Sequence, residues 1–207
     1  SDQEMRKQRQ EEQRQAAIVG RYAAMIQLDY ASAALRDLNS SGLPDDLALI
    51  LKSTRPKKVY LHNLADKHPT HIACVLAAIQ ALRTLSPEDQ PEIVYGCEVW
   101  RDLDWVPDDA KIALNVSGHA QLGQALLSVF ESQISGGKRY DLAASGRRRA
   151  NAVFHQSHFT DQAEELCFAV DLTSLIKTPT TNPASYIGDL IDRFKADVVG
   201  QISKRLQ

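Results

Sequence analysis

Lys57-Lys58-Val59-Tyr60-Leu61-His62-Asn63-Leu64-Ala65-Asp66-Lys67-His68-Pro69-Thr70-His71 is the stretch on which the reading of the fold turns. Its first six residues read as a strand, with a β-branched and an aromatic side chain among apolar and polar neighbours. A short polar loop follows. Pro69 then opens a helix, because the N–H that proline lacks has no partner at the first helical position anyway. Ile72, Val75, Leu76, Ile79 and Leu82 recur at helical spacing, so the helix is expected over 68–82. Strand, loop and helix in this order form the unit from which parallel sheets are built. In open α/β sheets, ligands sit at the carboxyl ends of the strands.

Working outward, residues 1–15 are almost wholly Arg, Lys, Glu and Gln, and from Ala16 the same helical pattern turns apolar. One long helix is expected, its second half docked on a core. A short strand is expected at 25–30, a loop around Asn39, Ser40, Ser41, Gly42 and Pro44, and a helix over 45–52. Downstream, 92–100, 111–116 and 166–172 read as strands. Residues 120–134 read as one amphipathic helix stopped by Gly136-Gly137, and 141–152 and 185–206 as further helices. Strands alternating with helices predict an α/β layered fold with a mainly parallel sheet, here a single domain over 1–207.

Composition narrows the function. The chain has 207 residues, 43% of them hydrophobic and 24% charged, with a net charge of -2, so it is an ordinary globular chain without the basic excess of a nucleic-acid binder. No apolar run reaches the ~20 residues of a membrane span. Cys74, Cys97 and Cys167 are widely spaced and contain no CxxC pair, which argues against a zinc knuckle or a disulfide scaffold. With no secretory leader in view, a reducing, cytoplasmic setting is expected.

The chemistry concentrates after the first quoted strand. His68 stands at the helix entrance, His71 in its first turn, and Asp66 and His62 in the same loop region. Imidazoles beside a carboxylate are the parts of a hydrolytic metal site, and equally of a polar surface helix. A catalytic zinc needs further protein ligands from elsewhere. Glu98, Trp100 and Trp105, with Arg101, Asp102 and Asp104, suit sugar recognition, or else a strand end packed by tryptophan. Lys138-Arg139 and Arg147-Arg148-Arg149 offer guanidinium forks to an anion, or form a solvated face. His155, His158 and Asp161 read as loop residues or the rim of a site.

Asp66-Lys67-His68-Pro69-Thr70-His71 resembles the second signature of the PIG-L/LmbE zinc-dependent deacetylases. Three other stretches are similar to the same family: Arg9-xx-Glu12-xxx-Ala16, the strand Tyr95-Gly96-Cys97-Glu98-Val99-Trp100, and the run from Ser132 to Asp141 around Gly136-Gly137. The resemblance covers nearly the whole chain. It implies a Rossmann-like α/β sheet and hydrolysis of the N-acetyl amide of a glucosamine-type sugar with one zinc. It also implies His71 as a metal ligand and His68 as the group that stabilises the oxyanion or protonates the leaving amine. Arg9 would match a substrate-binding arginine, and Asp66 could serve in place of the histidine-orienting Asp that many members have at position 70.

The sequence departs from that family at three places. Thr70 stands where many members have Asp, and Glu131 where many have His. The family's first signature, Ala-His-Pro-Asp-Asp-Glu, which supplies two zinc ligands and the general-base aspartate, has no counterpart here. The chain is therefore expected to be the C-terminal portion of such an enzyme, inactive by itself. It would lack strands at the N-terminal side and associate with a second copy or a complementing segment. The alternative is a non-catalytic carbohydrate-binding or interaction module without the metal-binding half.

Overall fold

A computed structural model describes residues 2–36, 41–156 and 158–206. The loop expected at Asn39 and Ser40 lies outside the described residues. In chain order the elements are α1 (Asp2–Val19), α2 (Leu43–Thr54), β1 (Lys58–His62), α3 (Pro69–Thr84), β2 (Ile93–Cys97), β3 (Lys111–Asn115), α4 (Ala120–Ser128), α5 (Glu131–Ile134), α6 (Tyr140–Phe154), β4 (Leu166–Asp171), α7 (Thr173–Lys177) and α8 (Pro183–Ser203). Short 3-10 turns occupy Ala34–Arg36 and Asp108–Ala110. The four strands form one sheet in the order β1-β2-β4-β3. The chain divides into two compact units, Ser1–Asp29 with Leu114–Cys167 and Tyr30–Ala113 with Phe168–Gln207.

The second unit holds the quoted stretch, and its architecture is the expected α/β layering. β1 and β2 pair in parallel, with His62 opposite Cys97 and Tyr60 opposite Tyr95, because the crossover helix α3 joins them and parallel neighbours need such a crossover. The expectation of a mainly parallel sheet is corrected at β4, which runs antiparallel to β2 with Gly96 opposite Val170. β2 and β4 are not consecutive, so no crossover helix fixes their relative direction.

α3 is the centre of this unit's core. Val75, Ala77, Ala78, Ile79, Ala81 and Leu82 are buried on it, and it packs against α2, β1 and α7. Ile79 and Leu82, at 2% and 0% exposure, each stabilise the fold by roughly 1.5–3 kcal/mol through burial. An N-cap is worth about 1 kcal/mol. Burial therefore decides where α3 lies, and its cap decides where it begins. Arg83 closes the far end. Its Nε donates to the carbonyl of Leu175 and its guanidinium to that of Thr181, both at 2.7 Å. α8 is capped by Asn182, whose Oδ1 accepts from the N–H groups of Ala184 and Ser185. Ile187 and Leu190 are buried on its first half, while Ile191, Phe194, Val198 and Ile202 further along are exposed.

In the first unit three expectations are corrected. The long N-terminal helix stops at Val19, closed by Gly20 and by Arg21 in the left-handed region at φ 53. The Tyr22 N–H then reaches back to the carbonyl of Ala17 at 2.9 Å, a helix-terminating bond. No strand forms over 25–30. Side chains hold that segment instead: Gln27 donates to the carbonyl of Gln10 at 2.9 Å, and Arg6 Nε to Asp29 at 3.0 Å. The helix expected over 120–134 is broken between Ser128 and Glu131. The cause is Glu12, 7% exposed, whose carboxylate accepts the Ser132 N–H at 2.7 Å and the Ser132 hydroxyl at 2.6 Å. A partner 120 positions away satisfies an N–H at the start of a new helix, so α4 need not continue.

α7 follows β4 at once. No helix is expected there from the sequence, because five residues are too few to display a period. No disulfide joins Cys74, Cys97 and Cys167, and no helix is long and apolar enough to cross a membrane among the described residues.

Candidate functional site

β1 ends at His62 and the chain turns sharply. Asn63, fully buried, accepts the Ala65 N–H on its own side-chain oxygen at 2.8 Å, an Asx turn. Room for this residue comes from Gly96 on the neighbouring strand. A Cβ at Gly96 would stand 2.9 Å from Leu172 Cδ1 and 3.2 Å from Asn63 Nδ2. The turn delivers Asp66, 5% exposed, to the entrance of α3.

Asp66 uses both carboxylate oxygens. Oδ1 accepts the His68 N–H at 2.7 Å, and Oδ2 faces His71 Nδ1 at 3.0 Å. A carboxylate can only accept, so His71 carries its proton on Nδ1 and leaves the Nε2 lone pair open. His68 is the N-cap of α3. Its Nδ1 accepts the Thr70 N–H at 3.2 Å, which puts the ring proton on Nε2 of a neutral imidazole. The two histidines thus present opposite chemistry: Nε2 of His71 is an electron-pair donor and Nε2–H of His68 is a hydrogen-bond donor. Their ring centroids are 4.8 Å apart.

His62, Asp66 and His71 offer ligand atoms within 4.8 Å of one another. The ring of His62 nevertheless stacks on that of His71, with centroids 4.0 Å apart and planes 2° from parallel. Lone pairs of imidazole lie in the ring plane, so two stacked rings aim theirs along parallel planes rather than at one ion. Ring orientation outweighs proximity here. As arranged, His71 Nε2 is open to a metal ion, and His62 would join only by turning out of the stack. Partial desolvation first, and the neighbouring His71 second, hold the His62 imidazole below its ordinary value of 6.5.

These residues open into a cavity of about 470 Å³, lined also by Tyr60, Leu61, Cys74, Cys97, Glu98 and Trp100. Burial raises the Cys74 thiol, which keeps it protonated. Glu98, 6% exposed, accepts the Arg101 N–H on Oε1 at 2.6 Å. Its Oε2 is buried with no hydrogen-bond partner among the described residues. Burial first, then the nearby negative charge of Asp66, pushes the Glu98 carboxyl above its ordinary 4.5. Trp100 is 41% exposed at the rim, and the Lys67 ammonium stands 6.0 Å from its ring centroid.

Of the residues singled out from the sequence, Asp66, His71, Glu98 and Trp100 line this one cavity, and His68 lies beside it against His71. Arg9 is exposed on α1 and belongs to the first unit. His155, His158 and Asp161 form no group able to hold a metal among the described residues. In the basic run, Arg149 Nε lies 3.6 Å from Glu165, and Arg139 donates twice to Asp141, at 3.0 and 2.6 Å. Sequence reasoning missed Asn63 and Gly96. A buried Asn opening an Asx turn beside a strand glycine is visible only once strand register is known.

Residues 1–82 match the family model of PIG-L, described as GlcNAc-PI de-N-acetylase, so the family resemblance of Asp66 to His71 is borne out over that part of the chain. The crystal structure of the conserved protein TT1542 from Thermus thermophilus matches with a TM-score of 0.65 at 19% identity, covering 85% of this chain and 78% of that one. That likeness confirms the fold. No curated protein matches the chain.

Proposed function

Taking the match of residues 1–82 to the PIG-L de-N-acetylase family as premise, we propose that this chain is the His-Pro-Thr-His part of a zinc-dependent hydrolase that removes acetyl from an N-acetylglucosamine-type amide. The observation that carries the reading is the double use of Asp66, which fixes the tautomer of His71 and the start of α3 together.

In this reading His71 Nε2 would hold the zinc, and Asp66 would orient His71. When bound, zinc supplies Lewis acidity and a water of lowered pKa. Water oxygen adds to the acetyl carbon, the C–N bond breaks, and acetate and a free sugar amine result. His68 Nε2–H would be the donor for the carbonyl oxygen as negative charge develops, and the proton given up by the water would pass by way of the general base to the leaving nitrogen. One such donor is worth about 10²–10³ in rate. Glu98 and Trp100 would bind the sugar. Two more zinc ligands and the general base would come from a segment carrying His-Pro-Asp-Asp-Glu, so the chain alone would bind zinc weakly and stay inactive. β1 ends the strand order, and an unpaired strand edge invites pairing with such a segment or a second copy.

One observation favours a second reading, a carbohydrate-binding module without catalysis: the His62–His71 stack leaves a single imidazole nitrogen placed as a ligand. Acetate release from an N-acetylglucosamine conjugate separates the two. The assay uses the chain with zinc, alone and beside a polypeptide supplying the His-Pro-Asp-Asp-Glu segment. Release in the second case, lost in His71→Ala, is expected. No release in either, with saturable sugar binding, would establish the binding module instead. Zinc binding by the chain alone at micromolar affinity, abolished by His71→Ala, would show that its own ligand set is larger than proposed.

A further inference from the structure

The polar wall of the cavity is unbalanced in charge. Asp66 and Glu98 line it, and no lysine or arginine does among the described residues. Asp66 is engaged on both oxygens, by His68 and His71. Glu98 accepts the backbone N–H groups of Arg101, on Oε1, and of Asp102, while its Oε2 is buried without a hydrogen-bond partner among the described residues. A buried carboxyl oxygen left unsatisfied costs stability until a donor reaches it, and the strongest such donor is a cation. An anionic ligand would meet two carboxyl groups on the lining, the nearby cation Lys67 standing at the rim against Trp100.

The segment over this carboxyl is unusual. After Glu98 the chain passes Val99 and Trp100 at the rim, then takes two consecutive non-glycine residues through the left-handed region, Asp102 at φ 58 and Leu103 at φ 59. Such residues cost of order 1 kcal/mol or more each and persist where the surroundings hold them. Leu103 and Val106, at 0% and 1% exposure, anchor the far end. Trp105 Nε1 is buried without a partner among the described residues. The segment is therefore pinned at 103–106, and Val99 and Trp100 line the cavity next to Glu98.

We propose that this cavity is a binding site for a primary ammonium group on a polyol, with Glu98 as its counter-ion. The ligand reaches Oε2 as the Trp100 rim shifts. The proposal rests on the reading of the cavity as an amino-sugar site and deepens it: the site holds the free amine, the product of deacetylation, more tightly than the neutral amide. An ammonium supplies Oε2 with the donor it lacks, and the acetamide removes that charge.

Both tryptophans of the chain, Trp100 and Trp105, lie in this segment, so intrinsic tryptophan fluorescence reports on it alone. The full chain in chelator is titrated with glucosamine, N-acetylglucosamine and glucuronate, at a pH where the amine is protonated. A saturable change with glucosamine is expected, at least about tenfold tighter than with N-acetylglucosamine and absent with glucuronate. Glu98→Gln is expected to weaken glucosamine about tenfold or more and so to abolish the preference for glucosamine over N-acetylglucosamine. Trp100→Phe should remove most of the signal while calorimetry still detects glucosamine. Equal affinity for the two sugars, an unchanged Glu98→Gln, or no response to glucosamine overturns the proposal. So does a parallel titration in which zinc, and not glucosamine, loses affinity in Glu98→Gln, since Glu98 is then a metal ligand. The wild-type comparison needs no variant to fold. Acetate release by the complemented chain without a glucosamine preference refutes this proposal and leaves the hydrolase reading intact. A glucosamine preference without acetate release does the reverse.

Discussion

Asp66 Oδ2 stands 3.0 Å from His71 Nδ1 across one turn of chain, while its other oxygen holds the backbone of His68. The side chain that aims the imidazole is thus the one that starts the helix carrying it. Asp66→Asn keeps an oxygen for the His68 N–H but presents an amide donor or a weaker acceptor to His71. Loss of such a supporting carboxylate lowers metal affinity about 10–100-fold. Zinc calorimetry on the variant, complemented by the polypeptide that supplies the His-Pro-Asp-Asp-Glu segment and run beside His71→Ala, checks this. Affinity equal to wild type would mean that His71 is oriented by something else.

His68 holds two roles that substitution separates. As N-cap it accepts the Thr70 N–H, and His68→Ala should cost about 1 kcal/mol of stability. His68→Asn restores a side-chain acceptor at the cap and should be nearly neutral in thermal melts. Neither variant keeps the Nε2 donor, so both should lose about 10²–10³ of turnover in the complemented enzyme. Turnover preserved in His68→Asn would reduce the residue to its capping role.

Glu98 makes stability depend on pH. Its folded-state carboxyl is raised above 4.5, so the folded state binds more protons than the unfolded chain from that value upward. Stability from this group is therefore complete at low pH and declines as pH rises through the raised value. Glu98→Gln cannot ionise. Relative to wild type it should gain stability between mildly acid and neutral pH, and match it below pH 4.5. Thermal unfolding followed across that range measures the difference, and a constant offset would show that Glu98 does not titrate abnormally.

Gly96→Ala tests how the sheet supports the site. The new methyl would meet Leu172 Cδ1 at 2.9 Å and Asn63 Nδ2 at 3.2 Å. Leucine can give way, but Asn63 is fully buried and holds the turn that leads to Asp66. Overpacking of this kind costs about 1–3 kcal/mol. The expected result is a lowered melting temperature together with changed imidazole resonances of His71 in NMR spectra. A destabilised variant with an undisturbed histidine would show that Leu172 absorbs the strain alone.

Strand, loop and helix from Lys58 to Thr84 were legible because each level agrees: β-branched and aromatic residues, then Pro69 at the first helical position, then an apolar period of about 3.6 residues. The grouping of Asp66 with His71 follows from that local geometry alone. What stayed hidden depends on partners distant in sequence. The break before Glu131 is written in Glu12, and the direction of β4 in a pairing with β2 that no crossover imposes. The His62–His71 stack is a matter of rotamers, which spacing does not encode. The left-handed pair Asp102-Leu103 carries no glycine or asparagine to announce it.

Arg83 has a consequence for how the molecule comes apart. Through two backbone carbonyls it joins α3 to chain that lies 92 and 98 residues later, which places α7 and the turn before α8 in the same cooperative opening unit as the most buried helix. Beyond Arg193, which donates to the Asp109 carboxylate at 2.6 Å, the last turns of α8 carry the exposed apolar residues Val198, Val199 and Ile202. Amide protons there are expected to exchange through local fraying, and those of Leu175 and Ile176 only when α3 itself is released. The hierarchy of opening is therefore set by one guanidinium rather than by chain order, and the terminal helix straddles two levels of it.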